Sequence, residues 1–90
     1  MELLEVLGSR QRLKILRALA GGDRYLSELA KEVKADTKAL QRHLAILEKA
    51  GLIESYVEGR RRYYRLVKRI TLDVSPKEGE RRFIIAVRPV

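Results

Sequence analysis

No cysteine occurs among the 90 residues. That excludes disulfides, thiolate metal sites and thiol redox sensing. The chain has a single histidine, His43, and one histidine without cysteine does not make a metal site. No nucleophile–base pair is available either, because His43 falls within a helical core pattern. Glycine-rich phosphate loops are missing: Gly21-Gly22 lacks the spacing and context of one. The carboxylates are scattered and neighboured by cations. Enzyme chemistry therefore has no support, and neither a metal nor a cofactor is expected. The longest apolar run, FIIAV (83–87), is far too short to cross a bilayer. The N-terminus carries Glu2 and Glu5 and no signal-peptide pattern. A cytosolic protein with no membrane partner is the expectation. Asparagine is absent, there are only two glutamines, and 36% of residues are charged, a composition like that of hyperthermophile proteins.

What is present is charge of one sign. The net charge is +8, which favours a polyanionic partner. Residues 37–69 hold nine Lys or Arg against three Glu, so they carry most of that excess. Ninety residues make one small domain, whose limited burial makes dimerisation plausible from size alone.

The pattern along the chain is helical first and extended later. ELLEVL (2–7) reads as a short amphipathic helix ending at Gly8. Ser9 can cap a helix over 10–20, with Leu13, Leu16, Leu19 and Ala20 as an apolar stripe and Arg10, Lys14 and Arg17 opposite it. A membrane-surface role for that basic stripe is less economical than a solvated helix face, with Arg10 or Arg12 touching a phosphate. Gly21-Gly22-Asp23 ends the helix, and Tyr25 suits a very short strand. Ser27 is an N-cap candidate for a helix to Val33, with Leu29, Ala30 and Val33 inward. Lys34-Ala35 form a turn, and Asp36 or Thr37 caps a second helix over 37–50.

On that second helix Leu40, Leu44 and Leu47 recur at i, i+4 and i+7 and belong to the core. His43, at the flank of the stripe, reads as a packed, hydrogen-bonded histidine. Lys38, Gln41, Arg42 and Ala45 lie away from the stripe and give a polar face with one small residue, suited to a groove. Gly51 stops the helix. Two β-prone runs follow, LIESYV (52–57) and RYYRL (62–66), joined by a turn at Glu58-Gly59. Arg60, Arg61 and Arg62 cluster there. As a solvated hairpin this would be unremarkable. Three successive arginines beside a glycine turn, however, place guanidinium groups on a projecting tip suited to phosphate or a narrow minor groove. Tyr63 and Tyr64 point to opposite faces: one belongs to the core, the other touches a sugar-phosphate or covers the wing. Tyr64 is counted with the wing candidates.

Residues 70–90 differ. ITLDV (70–74) alternates, so one face is buried. KEGE (77–80) is turn-like, and RRFIIAV (81–87) expects cover on both faces. These strands can pair with each other, with the wing, or across a dimer axis. The division expected is a DNA-binding unit over 1–69 and a β-rich dimerisation extension over 70–90, within one compact unit.

The segments RQRLKILRAL (10–19), LSELAKEV (26–33), QRHLAILEKAGLIE (41–54) and GRRRYYRL (59–66) together resemble the ArsR-type winged helix-turn-helix regulators. The likeness is nearest to the archaeal branch with heat-shock-regulator-like proteins, and covers about residues 2–67. It implies a winged helix-turn-helix; with the two strands read over 70–90, the fold expected is α+β, mainly α with a small β component and a C-terminal two-strand extension. It also implies a homodimeric repressor of transcription that binds double-stranded DNA. By matching position, Thr37, Lys38, Gln41 and Arg42 would meet the major groove, with Arg60, Arg61 and Arg62 on the wing. Two departures stand out. The cysteines of metal-sensing members, on the helix matching 27–33, are absent, and the usual C-terminal dimerisation helix is not visible. No small-molecule effector is indicated. The rival readings are a chromatin-type protein coating DNA through charge, and an RNA-binding or protein-interaction winged helix.

Overall fold

The computed structural model describes residues 2–76, 78 and 82–90. The short helix α1 (Leu3–Leu7) leads into α2 (Arg10–Ala20), whose first turn is closed by Ser9 Oγ accepting from the Arg12 amide at 3.3 Å. A two-residue strand β1 (Arg24–Tyr25) precedes α3 (Leu26–Val33). The N-cap of α3 is Tyr25, not Ser27, because the Glu28 carboxylate accepts from the Tyr25 amide at 3.0 Å and starts the helix earlier. Lys34 ends α3 in the left-handed conformation, φ 55°. Asp36 then caps α4 (Thr37–Lys49), accepting from the Ala39 amide at 2.9 Å. The helix pair is joined by a tight turn because that left-handed residue redirects the chain within three positions.

Strands β2 (Ile53–Glu58) and β3 (Arg61–Leu66) form the wing, linked by Gly59-Arg60. Gly59 has φ 64°, the conformation the first central residue of a two-residue hairpin of this hand requires. The sheet order is β1-β3-β2, all antiparallel. A separate antiparallel hairpin, β4 (Lys68–Ser75) with β5 (Arg82–Pro89), completes the chain. These strands pair with each other, not with the wing. Of the expected turn at 77–80, only Glu78 lies among the described residues.

The core sits where α2, α3 and α4 meet the wing. Leu40, Leu44 and Leu47 are all but fully buried, as their spacing predicts, and meet Leu29, Val33, Leu52 and Ile53. The apolar stripe of α2 is corrected. Ile15, Leu16, Ala18 and Leu19 face the core, whereas Leu13 is 51% exposed and Ala20 is exposed as well. An 11-residue helix turning 100° per residue cannot bring Leu13 and Ile15 to one face, and the protein buries Ile15.

The C-terminal hairpin projects. The molecule measures 54 × 24 × 23 Å, and its radius of gyration of 14.6 Å exceeds the roughly 12 Å of a compact chain this long. Register places Ile70, Leu72 and Val74 opposite Val87, Ile85 and Phe83 on a single face. Ile70 and Val87 pack against the core at the root. Leu72, Val74 and Phe83 are each more than 60% exposed. The alternation in ITLDV therefore makes an apolar face, and within one chain only its root is covered. None of the described helices is long and apolar enough to cross a membrane.

Candidate DNA interface

Asp36 fixes where α4 begins, and so which side chains its first two turns present. Thr37, Lys38, Gln41, Arg42 and Ala45 are all exposed, on the side away from the buried leucines. A groove between the wing and the starts of α3 and α4 is lined by Tyr25, Leu26, Ser27, Thr37, Gln41, Arg61, Arg62 and Tyr64. Two polar positions of α4 thus share one concavity with two wing arginines.

The wing arginines differ in how they are held. Arg61 stacks over the Tyr25 ring at 4.2 Å from its centroid. Arg62 donates to Ser55 Oγ at 3.0 Å, and Ser55 donates in turn to the Glu48 carboxylate of α4 at 3.1 Å. That relay ties the wing to the helix beside it. Arg60 stands in the turn itself and is exposed.

Tyr64 is corrected. The register sets it opposite Ser55 and Arg24 on the inner face of the sheet, where only 8% of it is exposed. Burial raises its hydroxyl pKa. Its neighbour Tyr63 takes the outer face, stacked on Tyr56 at 5.4 Å and edge-on to Tyr25 at 5.7 Å. Asp23 pins this tyrosine row: it accepts from the Tyr56 hydroxyl at 2.5 Å and pairs with Arg65 at 3.0 Å. The Tyr56 hydrogen bond, with help from Arg65 and Arg24, holds the Asp23 carboxyl below its ordinary pKa. The sequence showed the tyrosines but not this anchor, because Asp23 and Tyr56 lie 33 residues apart. Strand alternation alone assigns Tyr63 and Tyr64 to opposite faces. Choosing between them needs the register.

Arg10 is exposed at the start of α2. Arg12 is not free to reach outward. Its Nε donates to the Val6 carbonyl at 2.7 Å, one terminal nitrogen donates to the Glu5 carbonyl at 3.0 Å, and the other meets His43 Nδ1 at 3.1 Å. All three guanidinium nitrogens thus hold partners within the fold. Burial, then the charges of Arg12 and Arg42, hold the His43 pKa below its usual value.

A core-packed helix pair with a tight turn, followed by a hairpin that shares a groove with the second helix, defines a winged helix-turn-helix. The profile described as "Bacterial regulatory protein, arsR family" matches residues 9–55. The HTH-type transcriptional regulator MJ1325 of Methanocaldococcus jannaschii is 33% identical over 67 residues, 73% of this chain and 75% of that protein. Among solved structures, the homodimeric winged helix-turn-helix DNA-binding domain of Mb0332 from Mycobacterium bovis, described as a possible ArsR-family regulator, is 34% identical with a TM-score of 0.66. That match covers 69% of this chain but only 57% of the other. Reduced HlyU from Vibrio cholerae is 31% identical with a TM-score of 0.67, over 71% of this chain and 67% of its own. The chain belongs to the ArsR family, whose fold is that of DNA-binding transcriptional regulators.

Proposed function

We propose that the protein is a sequence-specific regulator, a repressor, that binds double-stranded DNA as a homodimer. The observation that carries this reading is the shared groove of α4 and wing. Thr37, Lys38, Gln41 and Arg42 reach base edges and backbone in the major groove. Arg60, Arg61 and Arg62 lie along the backbone or in the adjacent minor groove. Arg10 meets a flanking phosphate, and Arg12 is left out because all three of its guanidinium nitrogens hold partners within the fold. Guanidinium pairing with guanine or phosphate needs the planar fork that these positions supply.

The dimer in this reading is built by residues 70–90. Leu72, Phe83 and Ile85 of the hairpin share an apolar groove with Leu4, Leu7, Leu13 and Ala20, and Val74 extends the same hairpin face. Burying the exposed part of each large side chain is worth roughly 1–2 kcal/mol. A symmetric partner covers this strip on both copies at once. It also covers a two-stranded sheet that would be marginal alone. The homodimeric state described for the Mb0332 domain supports a homodimer, without bearing on which residues build it.

Selection of bound fragments from genomic DNA, followed by competition against random duplex, tests the function. A regulator keeps a specific-to-nonspecific ratio of about 10³ or more. A ratio near unity would instead make it a charge-driven coating protein. Light scattering of the intact chain and of Leu72→Glu tests the assembly: dimer and monomer respectively are expected, and a monomeric intact chain at micromolar concentration would remove the interface.

A further inference from the structure

Helix α1 is only five residues long, and its last carbonyls have no helical partner. Two of them, Glu5 and Val6, accept from Arg12, which reaches back from the first turn of α2. The same guanidinium holds His43 on α4, 31 residues away. Three elements thus meet on one planar group. Helix α1 also sends Leu4 and Leu7 into the apolar groove at the hairpin root, while Val6 is sealed in the core. One short helix therefore touches the proposed partner surface on one side and, through Arg12, the proposed recognition helix on the other.

The chemistry of the tie is directional. An arginine has donors only, so Nδ1 of His43 must be the acceptor and carry no proton. The ring is neutral, with its proton on Nε2. Protonating Nδ1 removes the acceptor and sets a cation 3.1 Å from the guanidinium. The charges facing the ring are Arg12 from α2 and Arg42 from its own helix, both positive. From α1 it is backbone carbonyls, held through Arg12, that complete the site.

We propose that Arg12 and His43 are positioning residues that couple α1 to α4, and that proton uptake by His43 opens this coupling. The proposal rests on the reading of α4 as the recognition helix only for its consequence on DNA. The tie itself stands on the three hydrogen bonds. Lysine at position 12 does not replace it, since a single ammonium cannot fork to two carbonyls and a ring nitrogen. Glutamine at position 43 removes the titration, because an amide does not take up a proton in the range where histidine does.

The test is a backbone-amide NMR titration of the intact, DNA-free protein from about pH 7.5 to about pH 5, the range in which histidine titrates. In the wild type, the amides of Val6 and Leu7, whose peptide groups carry the held carbonyls, should shift with the same midpoint as the His43 ring, below the ordinary histidine value. His43→Gln should abolish that transition in α1. Arg12→Met should leave the ring titrating but silence α1, and Arg12→Lys gives the same comparison should the methionine variant fail to fold. Helix α1 amides that ignore His43 in the wild type, or that still follow it in the position-12 variant that folds, would overturn the coupling. A second arm measures affinity for a duplex recovered by genomic selection and for random duplex of equal length. Added positive charge raises both affinities, so their ratio isolates positioning. That ratio should fall about tenfold on acidification in the wild type, the scale of one lost charge-assisted hydrogen bond, and stay flat in His43→Gln. A wild-type ratio that does not fall would refute the consequence for α4. A protein that selects no duplex would refute the regulatory reading, and the amide titration would still decide the tie.

Discussion

Removing the wing arginines should change the salt dependence of DNA binding more than the stability of the fold. Arg60, Arg61 and Arg62 are all exposed, and each can neutralise one phosphate. Each phosphate contact contributes about 0.9 to the slope of log K against log salt on duplex DNA. Losing three contacts flattens the slope by about 2.7 for one copy and about 5.4 for a dimer engaging both half-sites. Between about 50 and about 200 mM salt, that difference is worth about 40-fold for one copy and roughly 2,000-fold for two. The three are not equivalent. Arg61 is pre-oriented on the Tyr25 ring and Arg62 by Ser55, so these two lose less side-chain freedom on binding than Arg60. Arg62→Ala should therefore cost more affinity than Arg60→Ala. The fold should survive the triple change, because an exposed cation–π contact contributes about 0.5–1 kcal/mol and an exposed hydrogen bond no more. Fluorescence anisotropy across a salt series reads the slope, and thermal melting reads the stability. An unchanged slope in a folded triple variant would mean that the wing points away from DNA.

Arg42→Ala should cost about 1–3 kcal/mol on a preferred site, and less on random duplex, if it makes a bidentate guanine contact; equal losses in competition would remove its base-reading role. Asp23→Asn should lower stability at neutral pH by on the order of 1 kcal/mol, through its bonds to Tyr56 and Arg65. Because the folded Asp23 pKa is depressed, that stability is present above about pH 4 and lost as pH falls through the lower folded value. Acid unfolding of the Asn variant should thus be shallower there, and parallel acid limbs would contradict the assignment. Isothermal calorimetry should find no stoichiometric submicromolar zinc site, since the chain has no cysteine and its one histidine is hydrogen-bonded to Arg12.

The helical part of the fold was legible because its signals are local. Leu40, Leu44 and Leu47 recur at helical spacing, and Asp36 and Ser9 are capping residues in the right place. The wing was legible from Gly59 between two β-prone runs. What failed needed distant neighbours. Leu13 and Ile15 are both apolar, and only the position of the core decides which one is buried. Tyr63 and Tyr64 differ by a register set across β1 and β2. Arg12 looked like a surface cation because nothing in its own helix announces that α1 ends beside it with unpaired carbonyls. Likewise ITLDV announced a buried face, which a single copy covers only at its root.

Two of these misreadings, at Arg12 and at Leu13 and Ile15, fall on α2, which serves three surfaces at once. Ile15, Leu16, Ala18 and Leu19 close the core against α3 and α4. Leu13 and Ala20 line the apolar groove with α1 and the hairpin. Arg12 joins α1 to His43. A helix exposing large apolar side chains is costly in a small protein unless a partner covers them. The groove side of α2 is continuous with the hairpin face, so one partner would cover both. A substitution at Leu13 then separates the roles. Leu13→Ser removes apolar surface at a position already half exposed, so it should leave the monomer fold intact. If the groove is the dimer surface, the same change should weaken association while the core side of α2 keeps its packing. Sedimentation and melting of Leu13→Ser, measured together at two protein concentrations, distinguish these effects. A variant that melts earlier at every concentration without changing its association would place Leu13 in the monomer's own packing and break the link between groove and assembly.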